Sequence, residues 1–241
     1  MFSRLASQGE RPGNGGETFG CHRRLCGDDS VTPAISADAE RGSHEYHEGS
    51  MTSTTAEGTA RVFFALVPCA ALRDALAELG RARARRLHGR PVPANNIHLT
   101  LAFVGAWPRG RLDVLLAAGA ALDGEAMRIT LDRHGGFRRS GVAWVAPSSP
   151  PATLGILANA LAAKLRANGV PFDEKPFHPH LTIARKCHGP FVDGAIGPYV
   201  WDIDDVALVA SDTRAEGARY TVLATWPLGQ RNDPSRERVG V

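Results

Sequence analysis

His98-Leu99-Thr100-Leu101 returns later in the chain as His180-Leu181-Thr182-Ile183. Histidine is the side chain whose ordinary pKa, about 6.5, makes both the protonated and the neutral ring available near neutrality. Two such rings on opposite sides of a cleft supply one general acid and one general base. The threonine hydroxyls donate hydrogen bonds to non-bridging phosphoryl oxygens and so hold a phosphorus between the rings. An imidazole and a hydroxyl, presented twice, suit metal-free cleavage of a phosphodiester whose leaving oxygen is internal. A lone histidine in a strand is usually structural. Its repetition in matching tetrapeptides shifts the reading to catalysis by His98 and His180, with Thr100 and Thr182 as phosphate ligands.

Both tetrapeptides lie in strand-like runs, where side chains alternate between faces. His98 and Thr100 then point one way while Leu99, Leu101 and Phe103 enter the core; His180 and Thr182 do the same against Leu181 and Ile183. Strict alternation continues the polar face through Ala102 and Ala184, two small residues that leave room for a ligand. Arg185, just beyond the second motif, is placed either to touch phosphate or to lie at the surface of a strand end.

These motifs need elements to hold them. Arg61 to Val67 reads as a strand stopped by Pro68, and Ala70 to Leu87 as a helix with Leu72, Leu76 and Leu79 on one face. Ile97 to Val104 is a second strand, and Arg111 to Leu122 a second helix with Leu112, Leu115, Leu116 and Leu122 as its buried stripe. Met127 to Asp132 and Val142 to Val145 form a hairpin across the loop His134 to Gly141. The rhythm repeats with a helix through Leu154, Leu157, Leu161 and Leu165, capped at Asn168-Gly169, then a strand from His180 to Arg185. Ile203 to Ala210 and Tyr220 to Trp226 are two further strands. Strands joined by hairpins as often as by helices favour an α+β fold over a doubly wound sheet. The expected architecture is bilobal, two antiparallel sheets with outer helices around a central cleft and a pseudo-two-fold repeat.

Residues 1–58 are rich in Gly, Ser, Thr, Glu and His with almost no apolar periodicity, so they are expected to be disordered. Residues 59–229 form the folded unit, and 230–241 a flexible tail. Met51 opens a short polar run before the first strand, which suggests translation starting there. The chain carries a net charge of +3 with 43% hydrophobic residues. Residues 1–58 hold five arginines against nine acidic residues, so the positive excess lies in the folded unit and attracts polyanions. Cys21, Cys26, Cys69 and Cys187 suggest no disulfide framework, and Cys21, Cys26 and His22 lack a second ligand pair for zinc. A metal site through His178, His180 and His188 lacks an accompanying carboxylate cluster. No run approaches the roughly 20 apolar residues that span a bilayer, so the cytoplasm is the expected location.

With Asn96-Ile97 before the first motif and Phe177-His178-Pro179 before the second, the pair resembles that of the two-histidine (2H) phosphoesterases, specifically the RNA 2′,3′-cyclic phosphodiesterases related to 2′-5′ RNA ligases. Val62-Phe63-Phe64-Ala65-Leu66, Gly136-Phe137, Val142-Ala143-Trp144-Val145, Ser211 and Gly217 to Tyr220 extend the likeness over roughly residues 60 to 228. The resemblance implies hydrolysis of a terminal 2′,3′-cyclic phosphate to a 2′-phosphomonoester without metal or cofactor. It implies that His98 protonates the departing 3′ oxygen, that His180 activates water, and that Thr100, Thr182 and Arg185 hold the phosphate. The partners it implies are cyclic-ended RNA or cyclic nucleotides, met by a monomer. Joining of RNA ends through a 2′-5′ bond lies within the same chemistry. Two other readings stay open: a phosphodiesterase of small cyclic or 2′-5′ linked nucleotides, and a module that holds RNA ends without turnover. Arg138, Arg139 and Phe137 are candidates to grip RNA at a cleft rim, and Arg81, Arg83, Arg85 and Arg86 form a basic or solvated helix face.

Overall fold

The computed structural model describes residues 19–21, 58–214 and 217–229. Met51 and residues 230–241 lie outside them. Among the described residues ten strands form one sheet: β1 (Phe19–Cys21), β2 (Thr59–Leu66), β3 (Arg90–Pro91), β4 (Leu99–Pro108), β5 (Met127–Phe137), β6 (Val142–Ala146), β7 (Leu181–Arg185), β8 (Gly194–Ile203), β9 (Asp205–Arg214) and β10 (Gly217–Pro227). The α-helices that accompany them are α1 (Ala70–Arg86), α2 (Leu112–Ala120) and α3 (Ala152–Ala167). The strand order is β1-β8-β5-β6-β7-β4-β2-β9-β10, with β3 on the free part of β7. Every strand pairing except β1 with β8 is antiparallel, which makes the fold α+β.

The sheet consists of two halves, β8-β5-β6-β7 and β4-β2-β9-β10. They join where β7 meets β4, and there the register contains one pair, Leu99 with Leu181. Both leucines are fully buried. The helices pack on this side of the sheet, contributing Leu72, Leu76, Leu115, Leu154, Leu157 and Leu161 to one core with Leu99, Leu181 and Phe64. The opposite side carries a small second cluster of Phe63, Ala65, Ala207 and Val209, against which Phe103 and Tyr220 pack.

That second cluster corrects the strict alternation expected along the motifs. In the β2–β4 ladder Ala65 pairs with Thr100 but Phe64 pairs with Ala102, so Leu101 is an extra residue. In the β6–β7 ladder Trp144 pairs with Thr182 and Ala143 with Ala184, so Ile183 is extra. A bulge places two residues opposite one and reverses the alternation beyond it. Ala102 and Ala184 therefore turn into the helical core instead of continuing the polar face. Phe103 comes round to the motif side, and the register brings Arg185, its counterpart in the second copy, round as well.

Other departures have local causes. Strand β5 runs through His134, Gly135 and Gly136, which the sequence assigns to a loop, because the two glycines leave room for Trp144 and Phe191; a Cβ at either would collide with those rings. His134 is consequently buried. Strand β8, whose glycines and proline read as turn signals, is absent from the sequence reading. Leu116, assigned to the buried stripe of α2, is 38% exposed. Phe19–Cys21, inside the stretch expected to be disordered, pairs in parallel with Tyr199–Trp201. Cysteine usage differs from the expectation at one point: Cys69 is disulfide-bonded, while Cys187 is free and buried. Among the described residues no helix is long and apolar enough to cross a membrane.

Candidate active site

The single Leu99–Leu181 pair fixes the geometry of both motifs. That pair brings the two motifs side by side, with His98 and Thr100 flanking Leu99 and His180 and Thr182 flanking Leu181. All four side chains belong to the face opposite the two leucines, so the seam between the half-sheets presents them together. His98, Thr100, His180 and Thr182 are each partly buried.

The two rings are held in the same way. His98 Nδ1 donates to the carbonyl of Asn96 at 2.8 Å, and His180 Nδ1 donates to the carbonyl of His178 at 2.7 Å. With the proton committed to Nδ1, the neutral ring presents Nε2 as an acceptor. Nε2 of His98 receives the Thr100 hydroxyl at 3.0 Å. Each ring also rests on aromatic neighbours from its own half-sheet. His98 stacks on Phe63 with centroids 4.6 Å apart and meets Tyr220 edge to face at 5.3 Å. His180 meets Phe137 edge to face at 5.0 Å, and Phe137 leans on Trp144 at 5.9 Å.

Burial is the main force on the acidity of these rings. It pushes His98 down to about 4, against the opposing effect of its bond to the Asn96 carbonyl, and the charges of Arg185 and His180 add to the depression. His180 is lowered by burial first, opposed by the His178 carbonyl, with Arg185 and His178 adding their charge. Arg185 thus acts on both histidines, as its position past the bulge dictates. The site as it stands holds two neutral imidazoles, with Nε2 of His98 accepting from Thr100, and one arginine charge acting on both.

Sequence reasoning named His98, Thr100, His180, Thr182 and Arg185; the first four flank the Leu99–Leu181 pair, and Arg185, at the end of β7 across from Arg90, lies close enough for its charge to act on both histidines. It missed the positioning carbonyls of Asn96 and His178, whose signal is their place two residues before each histidine. It also missed Phe63 and Tyr220 as ring supports, because they come from β2 and β10, remote in sequence. Arg138 donates to the Phe191 carbonyl at 3.2 Å and so anchors its own loop, while Phe137 remains 40% exposed beside His180. Among the described residues no group of three or more His, Cys, Asp or Glu is arranged to hold a metal ion, and His178, His180 and His188 form no such group.

A family model described as the 2′-5′ RNA ligase superfamily matches residues 68–214. The chain is 32% identical over 172 residues to an RNA 2′,3′-cyclic phosphodiesterase of Escherichia coli, covering 70% of this chain and 97% of that protein. It is 34% identical over 192 residues to an RNA 2′,3′-cyclic phosphodiesterase of Thermus thermophilus, covering 74% and 94%. Among solved structures, Escherichia coli LigT complexed with 3′-AMP superposes with a TM-score of 0.65 at 32% identity, over 71% of this chain and 99% of that one.

Proposed function

Because this chain belongs to the 2′-5′ RNA ligase superfamily, we propose that it is a hydrolase that opens RNA 2′,3′-cyclic phosphate ends to 2′-phosphomonoesters, with His98 and His180 as its acid–base pair. The observation that supports this reading is the Leu99–Leu181 pair at the seam, which brings the two motifs side by side, close enough for His180 to act on His98. A cyclic phosphate seated there has an imidazole on each side of phosphorus, as in-line displacement needs. His180 Nε2 takes a proton from the attacking water. His98 delivers a proton to the departing 3′ oxygen. In the free protein His98 is neutral at pH 7, so the acid form arises as the anionic substrate binds and its charge raises the ring's pKa. Thr100 and Thr182 donate to the non-bridging oxygens, and Arg185 neutralises charge that builds on them.

No step in this scheme uses a metal, and every side chain in it comes from one chain, so a single copy is sufficient. Resealing of ends through a 2′-5′ bond would replace the attacking water by an RNA hydroxyl at the same position.

The test is turnover of a cyclic-ended oligonucleotide in EDTA. Wild-type activity should persist in the chelator, and His98→Ala and His180→Ala should each lose at least about a hundredfold in kcat while keeping the wild-type circular dichroism spectrum. Activity abolished by EDTA, or a histidine variant near full rate, would overturn the scheme.

A further inference from the structure

A cavity of about 300 Å³ opens beside His98, lined by Phe63, Arg73, Asn95, Asn96, Tyr220 and Val222 among others. It belongs to the half-sheet of β2, β9 and β10, on the far side of β4 from His180. Its size is at the lower end of small-molecule sites, enough for a unit about as large as one nucleoside. Its floor and walls are mixed: aromatic rings at Phe63 and Tyr220, amides at Asn95 and Asn96, and guanidinium groups at Arg73 and, on an exposed side chain at the rim, Arg219. Asn96 is fixed in place by a 2.7 Å bond from its amide to the Ala218 carbonyl, while its own carbonyl holds His98.

Arg73 is the unexplained group. It reaches the cavity from the first turn of α1, and its Nε is sealed from solvent without any hydrogen-bond partner. Arg73 lines the cavity, and no acidic side chain among the described lining residues offsets its charge. An anion is the ligand that fits a guanidinium.

We propose that Arg73 is a specificity-determining residue that binds the phosphodiester immediately 5′ of the cyclic end, so that the site selects RNA termini over free cyclic nucleosides. This rests on the function proposed above. If His98 protonates the departing 3′ oxygen, the terminal ribose lies on the His98 side of phosphorus. Its 5′ arm then leaves through the cavity bordering that ring, where Arg73 waits and where Tyr220 offers a face to the nucleoside. His180, across the seam, is left for water.

The experiment compares adenosine 2′,3′-cyclic phosphate with the same compound carrying a 5′-phosphate, for the wild type, Arg73→Gln and Arg73→Lys. Wild type should favour the 5′-phosphorylated substrate by about ten- to a hundredfold in kcat/KM, the contribution of one charge-assisted contact, mostly through KM. Arg73→Gln should bring that ratio close to one, and Arg73→Lys should restore part of it. A ratio unchanged in Arg73→Gln, or both substrates falling alike, would overturn the assignment. Calorimetry with adenosine 2′-phosphate and adenosine 2′,5′-bisphosphate separates the subsite from the reaction. Tighter, Arg73-dependent binding of the bisphosphate supports the subsite even if neither cyclic compound turns over, an outcome that would sink the proposed reaction alone. Equal affinity for the two would sink the subsite whatever the turnover.

Discussion

The proton on each of the two motif rings is assigned by a backbone carbonyl two residues upstream, so tautomer and ring orientation are set by the chain entering each strand. Arg185 then tunes both rings from one position. Removing its charge, as in Arg185→Gln, should raise the pKa of both histidines, move the acid limb of the kcat/KM profile to higher pH, and raise KM through loss of a phosphate contact. Histidine titration by NMR checks the first effect and steady-state kinetics the others; a surface arginine without a role would leave all three where they were. His98 also links stability to pH. Its folded pKa, about 4, lies below the unfolded value near 6.5, so between those limits the unfolded chain binds the proton more tightly. The stabilisation is complete above pH 6.5 and is lost as pH falls towards 4, on the order of 3 kcal/mol over the whole window. Urea unfolding at pH 7 and pH 4.5 should therefore show a smaller acid loss for His98→Asn than for the wild type, and an equal loss would contradict the burial of that ring.

At the scale of elements, the motif strands are held from behind by α1. Gly80 lies so close to β7 that a Cβ there would come within 2.5 Å of the Ile183 carbonyl oxygen. Alanine at a helix interior gains about 1 kcal/mol over glycine, whereas overpacking against rigid backbone costs about 1–3 kcal/mol. The clash should win: Gly80→Ala is expected to lower the unfolding midpoint and, because Ile183 sits in the second motif, to reduce kcat as well. A midpoint above wild type would show that α1 can retreat freely. The period of two that marks His98, Thr100, His180 and Thr182 as one face was legible in sequence, since two short polar residues flank buried leucines in both copies. The bulges were not, because Leu101 and Ile183 are apolar like their neighbours, and only ladder register reveals that Ala102 and Ala184 turn inward. Strand β8 stayed hidden behind glycines and a proline that carry turn signals, and Arg73 behind its place in an ordinary amphipathic helix.

For the molecule as a whole, each half-sheet contributes one histidine, one threonine and the aromatic support of its own ring, while the distance between the two sets depends on one ladder pair. That arrangement separates stability from activity in a measurable way. Leu99 and Leu161 are both fully buried in the same core, so truncating either to alanine should cost about 2–5 kcal/mol. Leu99 is at the seam beside His98, and a cavity there lets the half-sheets settle towards each other. Misplacement of a reacting group by about 1 Å can cost on the order of a hundredfold. Leu161 lies in α3, outside the Leu99–Leu181 ladder pair. With both variants assayed well below their melting temperatures, Leu99→Ala should lower kcat by about ten- to a hundredfold while Leu161→Ala retains most of it, and Leu181→Ala should behave as Leu99→Ala does. Equal kcat losses for Leu99→Ala and Leu161→Ala at matched loss of stability would show that the seam is ordinary core, and that something other than the Leu99–Leu181 pair sets the spacing of the histidines.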